Sequence, residues 1–149
     1  MTNPTSRTLT AAFVLIAGGA LAACGDDDKP SAAEYRTEVN AICTAGNERL
    51  NALFADSPLG PDATEAQLVE VLDQILAEIN GQLDDIDALD TPGGDLSADV
   101  DAWLAESRAT VAEVRSSGAA FFEQQATGVN PFADVNAKAV ELGFDACGE

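Results

Sequence analysis

Four stretches of this chain repeat apolar side chains at three- and four-residue steps, and proline, glycine and serine punctuate the gaps between them. From about Ser31 to Ala55, the residues Tyr35, Val39, Ile42, Gly46, Leu50, Leu53 and Phe54 share one helical face. Pro30 precedes this segment, and Ser31-Ala32-Ala33-Glu34 has the spacing of a capping box. From about Ala63 to Leu89 runs the longest apolar stripe: Leu68, Val71, Leu72, Ile75, Leu76, Ile79, Leu83, Ile86 and Leu89. Thr64 and Gln67 offer a second capping box at its start, and Thr91-Pro92-Gly93-Gly94 ends it. A third segment starts near Asp95 or Ser97 and reaches about Ala126, carrying Leu96, Val100, Trp103, Leu104, Val111, Val114, Phe121 and Phe122. Ser116-Ser117-Gly118 is a weak point where it can kink or split. The fourth opens on Asn130-Pro131, a cap followed by proline at the first helical position, and carries Phe132, Val135, Ala139 and Leu142. Gly143 and Phe144 look like a glycine C-cap with its hydrophobic partner.

No segment shows the strict alternation with β-branched enrichment that marks a strand. Four amphipathic helices on short connections predict an all-α fold, an antiparallel up-down four-helix bundle over residues 31–149. Adjacent Phe121 and Phe122 cannot both face one core from a straight helix, so one of them is expected to be partly exposed or to cover the fourth segment.

Ahead of these segments, Leu9 to Ala23 is an uncharged run of about 15 residues, shorter than the roughly 20 that span a bilayer. Thr2 to Thr8 before it holds one cation, Arg7. The run closes on Leu21-Ala22-Ala23-Cys24, which resembles a bacterial lipobox. The resemblance implies a signal peptide over residues 1–23, cleavage before Cys24, and a diacylglyceryl group on the Cys24 thiol. Two acyl chains are what stable anchoring needs. The expected location is therefore the extracytoplasmic face of a cell membrane. An ordinary secretory signal cut after Ala20-Leu21-Ala22, or an uncleaved anchor, are the alternatives. Gly25-Asp26-Asp27-Asp28-Lys29-Pro30 reads as an acidic tether over residues 24–30. Its adjacent acids lack the spacing of a calcium loop.

Charge narrows the partners. The chain has 26 Asp and Glu against 7 Lys and Arg, a net charge of −19, and no His. Nucleic-acid binding needs cations to displace phosphate counterions and is excluded. Without His, neither a di-iron bundle site nor the commonest general base can be built. An apolar share of 46% is too high for a disordered acidic chain. Asp84, Asp85, Asp87 and Asp90, with Asp95, Asp99 and Asp101 across the turn, could form a weak cation surface, but read first as a solvated acidic face. No metal or cofactor is expected.

With Cys24 carrying lipid, Cys43 and Cys147 remain, in an exported and oxidising setting where a pair tends to bridge. A redox thiol pair is the alternative, although the two cysteines lack the Cys-x-x-Cys spacing of such sites. Tyr35-x-x-x-Val39-Asn40-Ala41-Ile42-Cys43, followed by Asn47, Leu50 and Leu53, is similar to the first helix of small exported helical proteins common in actinobacteria. Ala139-Val140-Glu141-Leu142-Gly143-Phe144-Asp145-Ala146-Cys147-Gly148 matches the Ala-x-x-Leu-Gly-x-x-x-Cys-Gly ending of the same group. The resemblance implies the Cys43–Cys147 bridge and the bundle, and no activity.

The expected function is a non-catalytic interaction module at the cell envelope, held to the membrane through Cys24 and docking an envelope protein. The alternative is a carrier for a small apolar ligand such as a lipid, with Trp103, Phe121, Phe122 and Phe132 as the candidate ligand or interface residues. An enzyme would need a deep pocket with convergent carboxylates, which no motif in the sequence announces.

Overall fold

The computed structural model describes residues 29–149 apart from Pro58 and Pro61. The apolar N-terminal run, the lipobox and Cys24, together with most of the acidic tether, lie outside the described residues. Within them the chain is all-helical: α1 (Ala32–Asp56), α2 (Glu65–Asp87), α3 (Asp95–Ser117), α4 (Ala120–Ala126), α5 (Ala133–Leu142) and a closing 3-10 turn at Asp145–Gly148. No described helix is long and apolar enough to cross a membrane.

Both capping boxes form. The Ser31 hydroxyl at 2.7 Å and the Ser31 amide at 2.9 Å both donate to Glu34 Oε2 and hold that carboxyl below its ordinary pKa, while the Glu34 amide donates to Ser31 Oγ at 3.2 Å. Thr64 and Gln67 repeat the exchange at 2.9 and 3.3 Å. The third segment splits at its expected weak point into two helices. Gly118 takes φ +57°, which ends α3 at Ser117 and lets α4 leave at an angle. The fourth segment starts later than expected. Asn130 Oδ1 accepts from the Phe132 amide at 3.0 Å, so Asn130 caps a turn that contains Pro131 and Phe132, and regular helix begins at Ala133.

At the other end of α5 the glycine cap forms in full. Gly143 sits at φ +84°, its amide donates to the Val140 carbonyl at 3.0 Å, and the Phe144 amide donates to the Ala139 carbonyl at 2.8 Å. These two bonds are the Schellman pair, and Ala139 and Phe144, both fully buried, make its hydrophobic contact.

The elements close a circuit in which α1 packs on α2, α2 on α3, α3 on α5, and the C-terminal turn links α5 back to α1. Scarce cations are spent between helices: Arg49 on α1 pairs with Glu78 on α2, Arg108 on α3 with Asp84 and Asp87, Arg115 with Asp73, and Lys138 on α5 with Glu106. The Arg108 and Arg115 pairs set α3 antiparallel to α2, since Arg108 meets the end of α2 and Arg115 meets its middle. Tyr35, Val39, Leu76, Ile86, Val100, Ala139 and Phe144 are fully buried inside the circuit.

The C-terminal turn is held by a row of side chains on one face of α1. Arg36 Nε donates to the Leu142 carbonyl at 2.7 Å, which also places a cation at the negative end of α5. Asn40 Nδ2 donates to the Gly143 carbonyl, and Asn40 Oδ1 accepts from the Ala146 amide, both at 2.9 Å. Asn47 Nδ2 donates to the Ala146 carbonyl at 2.8 Å. Between these positions Cys43 and Cys147 form the expected disulfide, S–S 2.01 Å with Cα atoms 5.1 Å apart. The positions 36, 40, 43 and 47 follow helical spacing, so one face of α1 carries the whole latch.

Candidate functional site: a cavity beside the short helix α5

Helices α1, α2 and α3 have 25, 23 and 23 residues, whereas α5 has 10. At 1.5 Å per residue the first three run roughly 35 Å and α5 about 15 Å. The short α5 leaves part of the trough between the longer helices to α4 and to the connection through Asn130, whose residues help to line it. A half-open cavity of about 300 Å³ lies there. This is the lower end of the size range of small-molecule pockets.

The floor is buried and mostly apolar: Ile75, Leu83 and Ile86 of α2, Trp103 of α3, Phe121 of α4 and Val135 of α5. Exposed Phe54, Gln125 and Asn130 mark the mouth. Glu149, at the rim, is the sole charged residue among the described residues that line the cavity. The disulfide reaches the wall through both Cys43 and Cys147.

Three of the four aromatic residues singled out in the sequence meet here. Trp103 is 4% exposed, and its indole Nε1 donates to the Val135 carbonyl at 3.0 Å, so its polar handle is occupied pinning α5 to α3. Its ring also lies 5.4 Å from that of Phe144. Phe121 is buried and Phe132 half-buried, both against the cavity. Phe122 is not on the cavity wall. It is half-buried and packs edge-on against Phe121 at 5.2 Å, because the two neighbours point to different sides of α4.

Two polar residues that the sequence reading passed over are also here. Gln82 and Ser107 are the buried polar residues among those described, and both line the cavity. Gln82 crosses against Gly46 of α1, where a Cβ would stand 2.0 Å from the Gln82 Cδ. The Ser107 hydroxyl has no hydrogen-bond partner among the described residues. A signal for both existed: each occupies a place where the apolar stripe of its helix calls for a hydrophobe, Gln82 between Ile79 and Leu83, Ser107 between Leu104 and Val111.

The acidic cluster of α2 is partly neutralised, since the Arg108 guanidinium bonds Asp84 at 3.0 Å and Asp87 at 3.1 Å. These carboxylates raise its pKa further. Tyr35 sits apart from the cavity with a buried, unpartnered hydroxyl. Burial first, then the charges of Asp101 and Asp87, push that phenol up to about 12.

Comparison with protein-family models, curated proteins and solved structures finds no match to this chain.

Proposed function

We propose that this is an exported helical protein, anchored through lipid on Cys24, that binds a small apolar ligand in the cavity between α1, α2, α3, α4 and α5 and performs no catalysis. In this reading the helices form an up-down bundle whose fourth wall is deliberately short. The observation that carries it is the cavity itself, an apolar pocket lined by four aromatic side chains, Phe54, Trp103, Phe121 and Phe132, in a chain with few aromatics. Apolar lining gives affinity by excluding water, and a half-open mouth gives entry without unfolding.

Between the two roles considered from the sequence, the carrier now stands ahead of the interaction module. The large exposed apolar side chains Phe54, Val69, Val129 and Val140 fall on different elements, and exposed hydrophobes scattered in this way are ordinary surface.

The test is titration of the domain with N-phenyl-1-naphthylamine, a neutral apolar dye that accepts energy from indole. Trp103 is the sole tryptophan and lies on the cavity wall, so binding quenches its emission as the dye lights up. Ile79→Phe fills the cavity and should abolish the signal while circular dichroism is unchanged. Dye binding that survives Ile79→Phe, or no binding to the wild type, refutes the carrier reading. Location is tested separately. In an exporting bacterial host, an alkynyl palmitate label should appear on the full chain and vanish in Cys24→Ala. Equal labelling of both refutes the anchor.

A further inference from the structure

Ser107 departs from the behaviour of most serine and threonine hydroxyls inside these helices. Thr37, Thr44 and Thr110 each donate to the carbonyl four residues back, at 2.9, 2.8 and 3.1 Å, and Ser116 and Ser117 to the carbonyl three back, at 2.7 Å each. Ser107 takes no such bond, is 5% exposed and stands on the cavity wall. A buried hydroxyl without a partner costs free energy that a helical serine can avoid by bonding its own backbone. Gln82 supplies a second buried polar group to the same wall. A cavity meant only for hydrocarbon would carry Ala or Leu at both places.

We infer that the cavity takes an uncharged amphiphile, an alkyl or aromatic body bearing one hydroxyl, carbonyl or amide group that hydrogen-bonds Ser107. The inference rests on the ligand-binding reading and adds the chemical class. The body lies along Ile75, Leu83, Ile86 and the aromatic rings. The polar group finds Ser107 as donor or acceptor, with the Gln82 amide on the same wall. Charge sets the remaining limit. No cation lines the cavity among the described residues, Glu149 stands at its rim, and the chain carries a net −19. A carboxylate or phosphate ligand would enter without a counter-charge and against the field of the protein. Free fatty acids are therefore the wrong class, whereas the matching alcohols, esters and amides fit.

The experiment uses three probes of one chain length, octan-1-ol, octane and octanoate, each displacing N-phenyl-1-naphthylamine from wild type, Ser107→Ala and Ser107→Thr. Octan-1-ol and octane should both displace the dye from wild type, and octanoate should be the weakest of the three. Ser107→Ala should weaken octan-1-ol about five- to tenfold and leave octane unchanged, the loss of one hydrogen bond to a dehydrated hydroxyl. Ser107→Thr keeps a hydroxyl and should keep the alcohol's share of affinity, which a purely structural role for Ser107 would not do. Equal effects of Ser107→Ala on octan-1-ol and octane overturn the inference and assign the hydroxyl to bound water, with the carrier reading intact. Octanoate binding as tightly as octan-1-ol overturns the exclusion of anions. Failure of both neutral probes to displace the dye overturns the inference together with the cavity as a ligand site.

Discussion

Replacing both bridging cysteines by alanine isolates what the disulfide contributes. Alanine is the right replacement because Cys43 is 4% exposed, and serine would add a third orphan hydroxyl to those of Tyr35 and Ser107. The bridge spans 104 positions of sequence. In the chain-entropy description a loop of that length removes roughly 16 cal/mol/K from the unfolded ensemble, about 4–5 kcal/mol at room temperature. The native state should change little, because Arg36, Asn40 and Asn47 still hold the C-terminal turn and Phe144 remains in the core. Nearly all of the loss therefore falls on the unfolded side. With a urea m-value of about 2 kcal/mol/M for a chain of this size, the Cys43→Ala/Cys147→Ala midpoint should drop by about 2 M. The m-value should also rise, since the unbridged chain unfolds further. Urea titrations followed in parallel by Trp103 fluorescence and far-UV circular dichroism measure both. Trp103 lies against Phe144, so its emission also reports whether the C-terminal turn stays docked. A midpoint shift under about 0.5 M refutes the entropic account. A native-state change in Trp103 emission without denaturant shows that the polar latch does not hold the turn unaided.

Tyr35→Phe removes a buried hydroxyl that bonds nothing, and should stabilise the protein by about 1 kcal/mol in the same titration. The phenol is raised to about 12 when folded against about 10 when unfolded. The stability that this shift represents is therefore complete below pH 10 and is lost as pH climbs from 10 to 12, by about 2–3 kcal/mol. Tyr35→Phe should flatten that alkaline limb, and an identical limb in both proteins would assign it to other groups. Gly46→Ala gains up to about 1 kcal/mol of helix propensity but drives its Cβ into the Gln82 amide, so the net should be destabilising by about 1–2 kcal/mol. Adding Gln82→Ala should recover part of the loss, and simple additivity in that double-mutant cycle would disprove the contact. Gly143→Ala forces a side chain to φ +84° with its Cβ 2.8 Å from Arg36 Cδ, which should cost about 1–2 kcal/mol and loosen amide-exchange protection from Phe144 to Cys147.

Local signals carried most of the secondary structure. The capping boxes at Ser31 and Thr64 formed as the spacing predicted, because they are contacts within four residues and need no tertiary context. The same holds for the Gly143 cap and for the split at Gly118, where a glycine alone takes positive φ. Helix α5 starts two positions after Pro131, where the sequence pattern places it, because an asparagine before a proline can serve a helix or a turn, and Asn130 serves a turn. Arg36, Asn40 and Asn47 drew no attention as a latch, since three polar residues on a helix face look like solvent contacts until the C-terminus is seen against them.

What the sequence determined by itself is therefore the all-helical class, the caps at Ser31, Thr64 and Gly143 and the pair of cysteines left to bridge, all of which follow from periodicity, capping chemistry and cysteine count. Tertiary structure decided the rest. It set a 10-residue α5 against neighbours more than twice as long, brought Trp103, Phe121 and Phe132 but not Phe122 to one wall, and placed Gln82 and Ser107 on that wall as buried polar groups. A cavity is the volume that packed elements fail to fill. It depends on the relative lengths and offsets of helices that are distant in sequence, and no local pattern encodes that difference.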